Sequence, residues 1–494
     1  MSSGPDGIPP LFFKKLATSL TAPLCLLYNC IFNSEKLPVI WKDAFVTPVF
    51  KKGKSSVVDN YRPISLTCVC CKVFESIIKS KLLTFLKCNN ILSSAQHGFI
   101  AGKSTCTNML ESLNDWTINV RNGYYTRVAL IDFAKAFDSV CHTKLLYKLS
   151  VLGINGPLLN VIKSFLSERS QRVKIQGAVS LPVKLISGVP QGSVLGPVLF
   201  VIYINDLQDI FPKTIVSKYF ADDAKLYTEI RCGDDIDNLQ FSLDKLSAWA
   251  ETWQLSISIK KCCTMDINTK RNVASFCENS INGVELELVS NFRDLGVLFE
   301  STLCFTSHIA KLVATAKQRI SLLFRSFKTR DQNSLMQAYK SYIIPILGYC
   351  SPIWSPGFMG DILLIESVQR NFTRKLPGFE YVPYTDRLRM LNLPSLELRR
   401  LYADLVLCFK ILHGIISGPP INYGLIISDR KSRGNSLKLR VDHVRVDVRK
   451  HYFSNRVCGP WNNLSDEIVN CGSVNSFKRL IQTCNFTKFL NLPV

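Results

Sequence analysis

The stretch Tyr219-Phe220-Ala221-Asp222-Asp223, YFADD in one-letter code, places two adjacent carboxylates directly after an apolar run. Residues 215–220 have the composition of a β-strand. Two neighbouring acids at the end of a strand repel each other, and they lose hydration if they are covered. An isolated Asp pair is most often a turn or a helix cap, which is our interpretation of Asp234-Asp235. The YFADD pair therefore needs a neutralising partner before any chemistry can be assigned to it.

A second apolar stretch also ends in an acid, because residues 128–131 read VALI and lead to Asp132. If this strand lay beside the YFADD strand, the acids would meet at one rim of the sheet. Two divalent ions about 4 Å apart are the usual answer to such carboxylates in phosphoryl transfer. Mg²⁺ prefers carboxylate oxygen to the ligands that Cys and His offer. The two stretches together predict a site for divalent metal ions.

The bulk composition bounds the class of protein. A length of 494 residues suggests about two to four domains. Hydrophobic residues make up 47% of the chain and charged residues 20%, so the chain can bury a sizeable core. The formal net charge of +22 indicates a polyanionic partner. Nucleic acid is favoured over a membrane because no basic amphipathic helix with a lipid-facing stripe is evident.

The 18 cysteines and the N-terminus indicate a reducing compartment and no secretion. The longest apolar run, residues 194–204, is too short to span a bilayer. A zinc site would need paired ligands at short spacing, which the cysteines and histidine of residues 451–484 do not have.

The periodicity predicts helices and strands in three successive regions. Residues 1–125 are expected to be mainly helical with extended segments, residues 126–300 mixed, and the rest mostly helical. Within the middle region we expect strands at 127–132, 173–176 and 183–186, helices at 143–152 and 234–253, and a hairpin turn at Asn282-Gly283. Basic stretches at 311–330 and 430–450 strengthen the expectation of a nucleic-acid partner.

Three motifs occur in the order of the palm motifs of reverse transcriptases: DFAKAFDSV at 132–140, GVPQGSVLGP at 188–197 and FADD at 220–223. The chain resembles the polymerase of a non-LTR (LINE-type) retrotransposon of the jockey-like lineage. Further stretches resemble this family's fingers, later palm, primer-grip and downstream segments, and they lie at 4–9, 60–66, 96–99, 253–255, 261–262, 295–297, 349–354 and 456–464.

The resemblance implies an α+β, right-hand polymerase with fingers, a palm with an antiparallel sheet, and a helical thumb. We expect the fingers at 1–125, the palm with its primer-grip hairpin at 126–300, and the thumb at 301–400. A helical, basic, nucleic-acid-binding extension would follow at 401–494, with Trp461 available for base stacking or for core packing. The chain begins almost at the first fingers motif, so we expect no endonuclease domain in it.

The same resemblance implies the metal-binding and catalytic residues. Asp132 and Asp222 would bridge the two metal ions, and the carbonyl of Phe133 would help to hold one of them. Asp223 would be a nearby acid with a less direct role. Lys261 would be a candidate proton donor to pyrophosphate, with an ordinary surface lysine as the alternative. The expected ions are two Mg²⁺, with Mn²⁺ as a substitute.

For the nucleotide, the resemblance implies that Phe137 lies under the incoming sugar and would clash with a 2′-hydroxyl, unless it only packs in the core. Gln191 and Gly192 would line the nucleotide pocket, where glycine allows close backbone approach. Arg62, and Lys51 or Lys52, would contact the triphosphate. Ile100 and Lys103 depart from the family pattern, since arginines are common at these positions.

The implied function is an RNA-directed DNA polymerase that extends a DNA 3′-hydroxyl on an RNA template with dNTPs. Its partners would be the RNA template, the DNA primer or target and dNTPs, without a membrane. It would be located in the cytoplasm and nucleus as a ribonucleoprotein. The alternatives are a polymerase-dead nucleic-acid-binding remnant and an RNA-dependent RNA polymerase, of which Phe137 disfavours the second.

Overall fold

The computed structural model describes residues 3–268, 278–429 and 434–492. The strands in chain order are β1 (Asp43–Phe50), β2 (Tyr61–Leu66), β3 (Tyr125–Asp132), β4 (Arg169–Ile175), β5 (Ala178–Val179), β6 (Val183–Leu185), β7 (Val216–Phe220), β8 (Asp223–Ile230), β9 (Cys263–Ile267), β10 (Ser280–Ile281), β11 (Val284–Glu285), β12 (Glu287–Leu288), β13 (Asn291–Asp294) and β14 (Val297–Glu300).

The helices up to the last strand are α1 (Pro10–Lys15), α2 (Ala17–Ser34), α3 (Val39–Lys42), α4 (Val69–Cys88), α5 (Thr105–Arg121), α6 (Ala136–Ser139), α7 (His142–Val151), α8 (Gly156–Leu166), α9 (Gly196–Tyr203) and α10 (Gly233–Thr252). The later helices are α11 (Thr306–Ser326), α12 (Gln332–Tyr342), α13 (Ile344–Gly348), α14 (Ser351–Trp354), α15 (Met359–Arg374), α16 (Tyr384–Met390), α17 (Leu396–Leu412), α18 (Asp447–Lys450), α19 (Phe453–Asn462), α20 (Asp466–Val469) and α21 (Val474–Ile481).

The strands form two larger sheets. The first has the order β2-β1-β4-β5, with β6 paired to β4, and so joins strands that are distant in sequence. The second has the order β12-β9-β3-β8-β7, in which β3 is antiparallel to both of its neighbours. The β10–β11 and β13–β14 pairs are separate hairpins. The second sheet matches the predicted antiparallel palm, and we call it the palm sheet.

The palm sheet separates two hydrophobic cores. Strand β3 is buried on both faces because its apolar run is continuous, as expected for a central strand. Val128 faces a core with the Trp116 side of α5 and the C-terminal helices. Ala129, the next residue, faces a core with α4 and α7 to α10. Because successive side chains point to opposite faces, this one strand contributes side chains to both cores.

The local predictions are largely confirmed, with one correction. The helix expected at 143–152 is α7, and Asn282 and Gly283 take positive φ values of 53° and 74° in the β10–β11 turn. Asp235 caps α10 by accepting from the Cys232 amide at 3.1 Å. The idea that the YFADD strand itself lies beside β3 is wrong, because β8 intervenes and pairs with β3. The sharp hairpin reverses the chain at the acids, so the strand after them is the neighbour.

The C-terminal region packs against the palm as part of the same core. Helices α17, α19 and α21 share this core with α5. Trp461 is fully buried and donates its indole N–H to the Leu437 carbonyl at 2.8 Å, so it packs in the core. Part of the basic stretch 430–450 lies outside the described residues. Within the described ranges, no helix has the length and apolarity that a membrane crossing needs.

Candidate active site

The three acids meet where β3 ends and the β7–β8 hairpin turns. In the antiparallel β3–β8 pair, Asp132 stands opposite Asp223, and Asp223 in turn stands opposite Phe220 of β7. Asp222 occupies the two-residue turn with Ala221. Antiparallel register therefore brings together acids that are about ninety residues apart in sequence.

The turn that carries Asp222 has a strained backbone. Ala221 has φ of 56°, a left-handed conformation that two-residue hairpins require at their first turn position and that usually selects glycine. The side chain of Gln96, which is 2% exposed, supports the backbone of this turn. Its Oε1 accepts from the Ala221 amide at 3.1 Å and from the Gly98 amide at 2.7 Å. A side chain at Gly98 would put its Cβ 2.4 Å from the Ala221 nitrogen, so glycine is required there.

Residues 95–98 also pair with the open edge of the palm sheet. The Tyr219 amide donates to the Ala95 carbonyl at 2.9 Å, and the His97 amide donates to the Tyr219 carbonyl at 2.8 Å. This segment resembles a fingers motif in sequence, yet it supports the β7–β8 hairpin of the palm sheet. The sequence did not predict this role of Gln96. Its only signal was the glycine, which indicates a close backbone approach.

The electrostatics of the turn favour a cation. Burial, followed by repulsion from Asp132, raises the pKa of Asp222, whereas Arg62 and Lys261 act to lower it. Partial burial, followed by repulsion from Asp222, Asp294 and Asp132, raises the pKa of Asp223 to about 6. Partly buried carboxylates that repel each other are stabilised in their charged form by a bound cation.

Lys261 lies beside the first acid. Its Nζ donates to Asp132 Oδ1 at 3.0 Å. The preceding loop is fixed to the end of β3, because the Ser258 amide donates to the Asp132 carbonyl at 2.7 Å and the Ala134 amide donates to the Ser256 carbonyl at 2.8 Å. The side chain of Lys261 remains largely exposed. Lys261 is therefore one of the predicted residues that the structure brings to the acids.

The residues predicted to line the nucleotide pocket contact the first sheet and α6. The Gln191 carbonyl accepts from the Ser65 amide of β2 at 2.7 Å. Gly192 has φ of 115°, and a Cβ there would lie 2.5 Å from the Ser65 carbonyl oxygen. The Gln191 side chain donates from its Nε2 to both carboxylate oxygens of Asp138, at 2.9 and 3.1 Å. Arg62 lies on the same strand β2, so the first sheet delivers its guanidinium toward Asp222.

Phe137 is held by two other rings. It stacks on Phe200 with ring centroids 4.4 Å apart and meets the edge of Phe99 at 6.3 Å. Phe133 has a buried side chain and follows Asp132 directly. Lys51 and Lys52 are exposed in the β1–β2 turn, and no hydrogen bond or ion pair between described residues joins them to the acids.

A cavity of about 260 Å³ separates the acids from the β13–β14 hairpin. Asp132, Asp223 and Lys261 line one side, and Arg293 and Leu295 line the other. Such a cleft next to carboxylates at the end of palm strands is where a reacting group and a charged substrate can lie together.

Buried ion pairs support the floor of this cleft. Lys218 of β7 pairs with Glu111 of α5, and Lys225 of β8 pairs with Asp294 at 2.5 Å. Both lysines lie on the β7–β8 hairpin, and each pairs with an acid of a different neighbouring element. Charged groups of this kind are retained in a core when they are paired, and breaking one partner is costly. Neither ion pair was predicted from the sequence.

The antiparallel palm sheet, the acidic hairpin and the cleft are features of the right-hand polymerase fold. The model of the family described as reverse transcriptase (RNA-dependent DNA polymerase) matches residues 49–297, half of the chain. The chain belongs to this family.

Several known proteins are similar to this chain over most of its length. The RNA-directed DNA polymerase from mobile element jockey of Drosophila melanogaster is 30% identical over 76% of this chain and 42% of its own. The probable RNA-directed DNA polymerase from transposon BS of the same organism is 29% identical over 80% and 45%. A solved apo telomerase from Candida tropicalis has 11% identity and a TM-score of 0.42, covering 82% of this chain and 68% of that one. The chain spans less than half the length of the curated relatives.

The resemblance inferred from the motifs is thereby confirmed at the level of the family. The relatives are polymerases of non-LTR retrotransposons, including the jockey element itself. The motifs at 188–197 and 220–223 lie inside the matched range, together with Asp132, Arg62 and Lys261.

Proposed function

We propose that the chain is an RNA-directed DNA polymerase that adds dNTPs to a DNA 3′-hydroxyl on an RNA template. The observation that carries this proposal is the convergence of Asp132 and Asp222 beside the cleft, with Arg62 and Lys261 as the positive charges that face them. Acids alone would fit a nuclease as well. The nearby positive groups are suited to a triphosphate, which is transferred by positioning and charge neutralisation.

The donor set fits two divalent ions. Reverse transcriptases generally depend on a divalent metal, and the oxygen-only set of Asp132, Asp222 and the Phe133 carbonyl suits Mg²⁺, with Mn²⁺ as a substitute. When bound, such ions would lower the pKa of the attacking hydroxyl and stabilise the leaving pyrophosphate. The raised pKa of Asp222 and of Asp223 supports this assignment, because burial and mutual repulsion both penalise the negative charges and a bound cation would offset them. Asp223 would increase the negative charge of the site and have a less direct role.

The chain's own side chains would orient the nucleotide. Arg62, together with Lys51 or Lys52 in the adjacent turn, would bind the triphosphate, and Gln191 with Gly192 would support the base and sugar. Lys261, released from Asp132 by a bound cation, would be free to donate a proton to the leaving pyrophosphate. Phe137 is fixed by Phe200 and would exclude a 2′-hydroxyl by its volume.

The nucleic acid would lie along the basic face of α11. Lys311, Lys317 and Arg325 are exposed on this helix, whose apolar face is buried against α15. Such a face neutralises backbone phosphates without reading sequence. We assign residues 1–125 to fingers, 126–300 to palm, 301–400 to thumb and 401–494 to a C-terminal extension. A ribonucleoprotein of cytoplasm and nucleus is the setting that this function implies.

Primer extension on a primed RNA template tests the proposal. The parent should incorporate dNTPs in Mg²⁺ and prefer them to ribonucleotides, and Asp222→Asn should reduce the rate about a hundredfold or more because a metal ligand is lost. The matched control is Asp237→Asn, which changes an exposed acid on α10. A parent that is as inactive as Asp222→Asn while still binding RNA would instead identify a polymerase-dead remnant. Equal use of ribonucleotides would remove the role given to Phe137.

A further inference from the structure

The turn of the β13–β14 hairpin forms the wall of the cleft opposite the acids. Leu295 and Gly296 both have positive φ, 44° and 93°, so the turn contains a strained non-glycine residue. The Arg293 guanidinium donates to the Gly296 carbonyl at 3.0 Å and closes the turn from inside. Leu295 lines the same cavity as Asp132 and Asp223. A group that occupies this cavity therefore lies next to this turn.

The turn is held from outside by Tyr349, which belongs to the loop between α13 and α14. The Tyr349 hydroxyl donates to the Leu295 carbonyl at 2.7 Å and lies 3.3 Å from the Thr105 hydroxyl at the start of α5. The ring packs on Gly296, since a Cβ there would be 3.3 Å from Tyr349 Cε1. One tyrosine thus connects the cleft wall to a helix that packs under the palm sheet.

The loop that carries Tyr349 is held by a buried tryptophan and by the C-terminal extension. Trp354 is fully buried and donates its indole N–H to the Tyr349 carbonyl at 2.8 Å. Arg456 of α19 donates to the Pro352 carbonyl at 3.1 Å and forms a two-point ion pair with Asp404 at 3.0 and 3.1 Å. Asp404 is 2% exposed, so this pair is rigid. The motifs at 349–354 and 456–464 therefore meet at one junction.

We propose that Tyr349 is a positioning residue for the primer terminus, and that the Arg456–Asp404 pair of the C-terminal extension holds it in place. The proposal rests on the polymerase function proposed above. The hydroxyl fixes the position of the Leu295–Gly296 turn. The turn then determines where the terminal nucleotide of the primer lies relative to Asp132. Small displacements of a reacting group are enough to slow a reaction strongly.

The test uses the full chain with Tyr349→Phe, which removes only the hydroxyl, and Tyr381→Phe as the control because Tyr381 is fully exposed. Single-turnover extension of a primed RNA should slow about fivefold or more in Tyr349→Phe, as expected for a lost hydrogen bond in a positioning role. The dNTP concentration for half-maximal rate and the affinity for the duplex should stay unchanged. Thr105→Val should act on the same hydroxyl, so that the double variant is less impaired than the product of the two single effects.

A second readout is independent of chemistry. A primer ending in 2-aminopurine should fluoresce more strongly when bound to Tyr349→Phe than when bound to the parent, because its terminal base is less fixed. Unchanged fluorescence overturns the proposal, and so does a loss of rate that Tyr381→Phe shares or that only follows a lowered thermal midpoint. If the parent incorporates no dNTP, the proposed function fails, whereas the fluorescence comparison still tests the placement of the primer.

Discussion

At the scale of single residues, the site is defined by acids that repel each other. Asp223 is repelled by three other carboxylates, and the buried Lys225 partly offsets this repulsion. The folded protein tolerates this arrangement because the strands fix the acids before any cation binds. Activity and stability should therefore respond in opposite ways to removal of a charge here.

Asp223→Asn should raise the thermal midpoint of the metal-free protein more at pH 7.5 than at pH 4.5. The native pKa is about 6, above the unfolded value of about 3.9. The native state therefore binds more protons than the unfolded state between about pH 4 and 6, and the contribution of Asp223 to the free energy of unfolding falls as pH rises through this window. Calorimetry at both pH values measures the difference, with Asp237→Asn as the control. An equal gain at both values would contradict a raised pKa.

At the scale of elements, the β7–β8 hairpin depends on the segment at 95–98. Nothing in the hairpin sequence favours the left-handed conformation of Ala221. Gln96 compensates by accepting two backbone hydrogen bonds in a buried position. The strain at the turn is thus balanced by an element more than a hundred residues away.

Gln96→Met should lower the free energy of unfolding by about 1–3 kcal/mol, because two buried amides lose their acceptor. It should also slow incorporation, since the turn that carries Asp222 loses its support. Gln96→Glu retains an acceptor oxygen and should preserve the hairpin better. Urea unfolding and initial rates measure both effects, and the exposed Gln337→Met is the control. If methionine were tolerated as well as glutamate, Gln96 would have only a packing role.

At the scale of the whole molecule, the C-terminal region is fastened to the palm by buried polar contacts. Arg449 donates to the Asn114 side-chain carbonyl at 2.8 Å and to the Thr117 hydroxyl at 3.0 Å. The Tyr452 hydroxyl donates to the Leu110 carbonyl at 3.0 Å. All of these partners belong to α5, which also packs against the palm sheet.

Arg449→Met should destabilise the protein by about 2 kcal/mol or more, because buried polar partners on α5 lose a charged donor. Since α5 belongs to the common core, the loss should appear in the palm as well as in the C-terminal region. Hydrogen exchange of the α5 amides should accelerate in this variant and not in the control Arg445→Met, whose side chain is exposed. Protection of α5 that stays unchanged would show that the C-terminal region folds separately.

The sequence alone was sufficient for the family and for most local elements. Apolar strands that end in acids, turn residues such as Asn282-Gly283, and helical periodicity are local signals, and the ordered motifs identify the polymerase class. The same signals suggested that the YFADD strand pairs with β3, which is wrong because a two-residue turn inserts β8 between them. Strand order depends on contacts between distant segments, which a local pattern does not contain.

The supporting residues were decided only by the tertiary structure. Gln96, Tyr349 and Arg456 lie in motifs that the sequence displays, but their partners are 52 to 125 residues away along the chain. The YFADD stretch by itself predicted two adjacent acids after an apolar strand, with a need for neutralising positive charge. Which backbone would hold them in a strained turn, and which wall would face them, followed from packing, because a hydrogen bond between distant residues exists only once the cores have assembled.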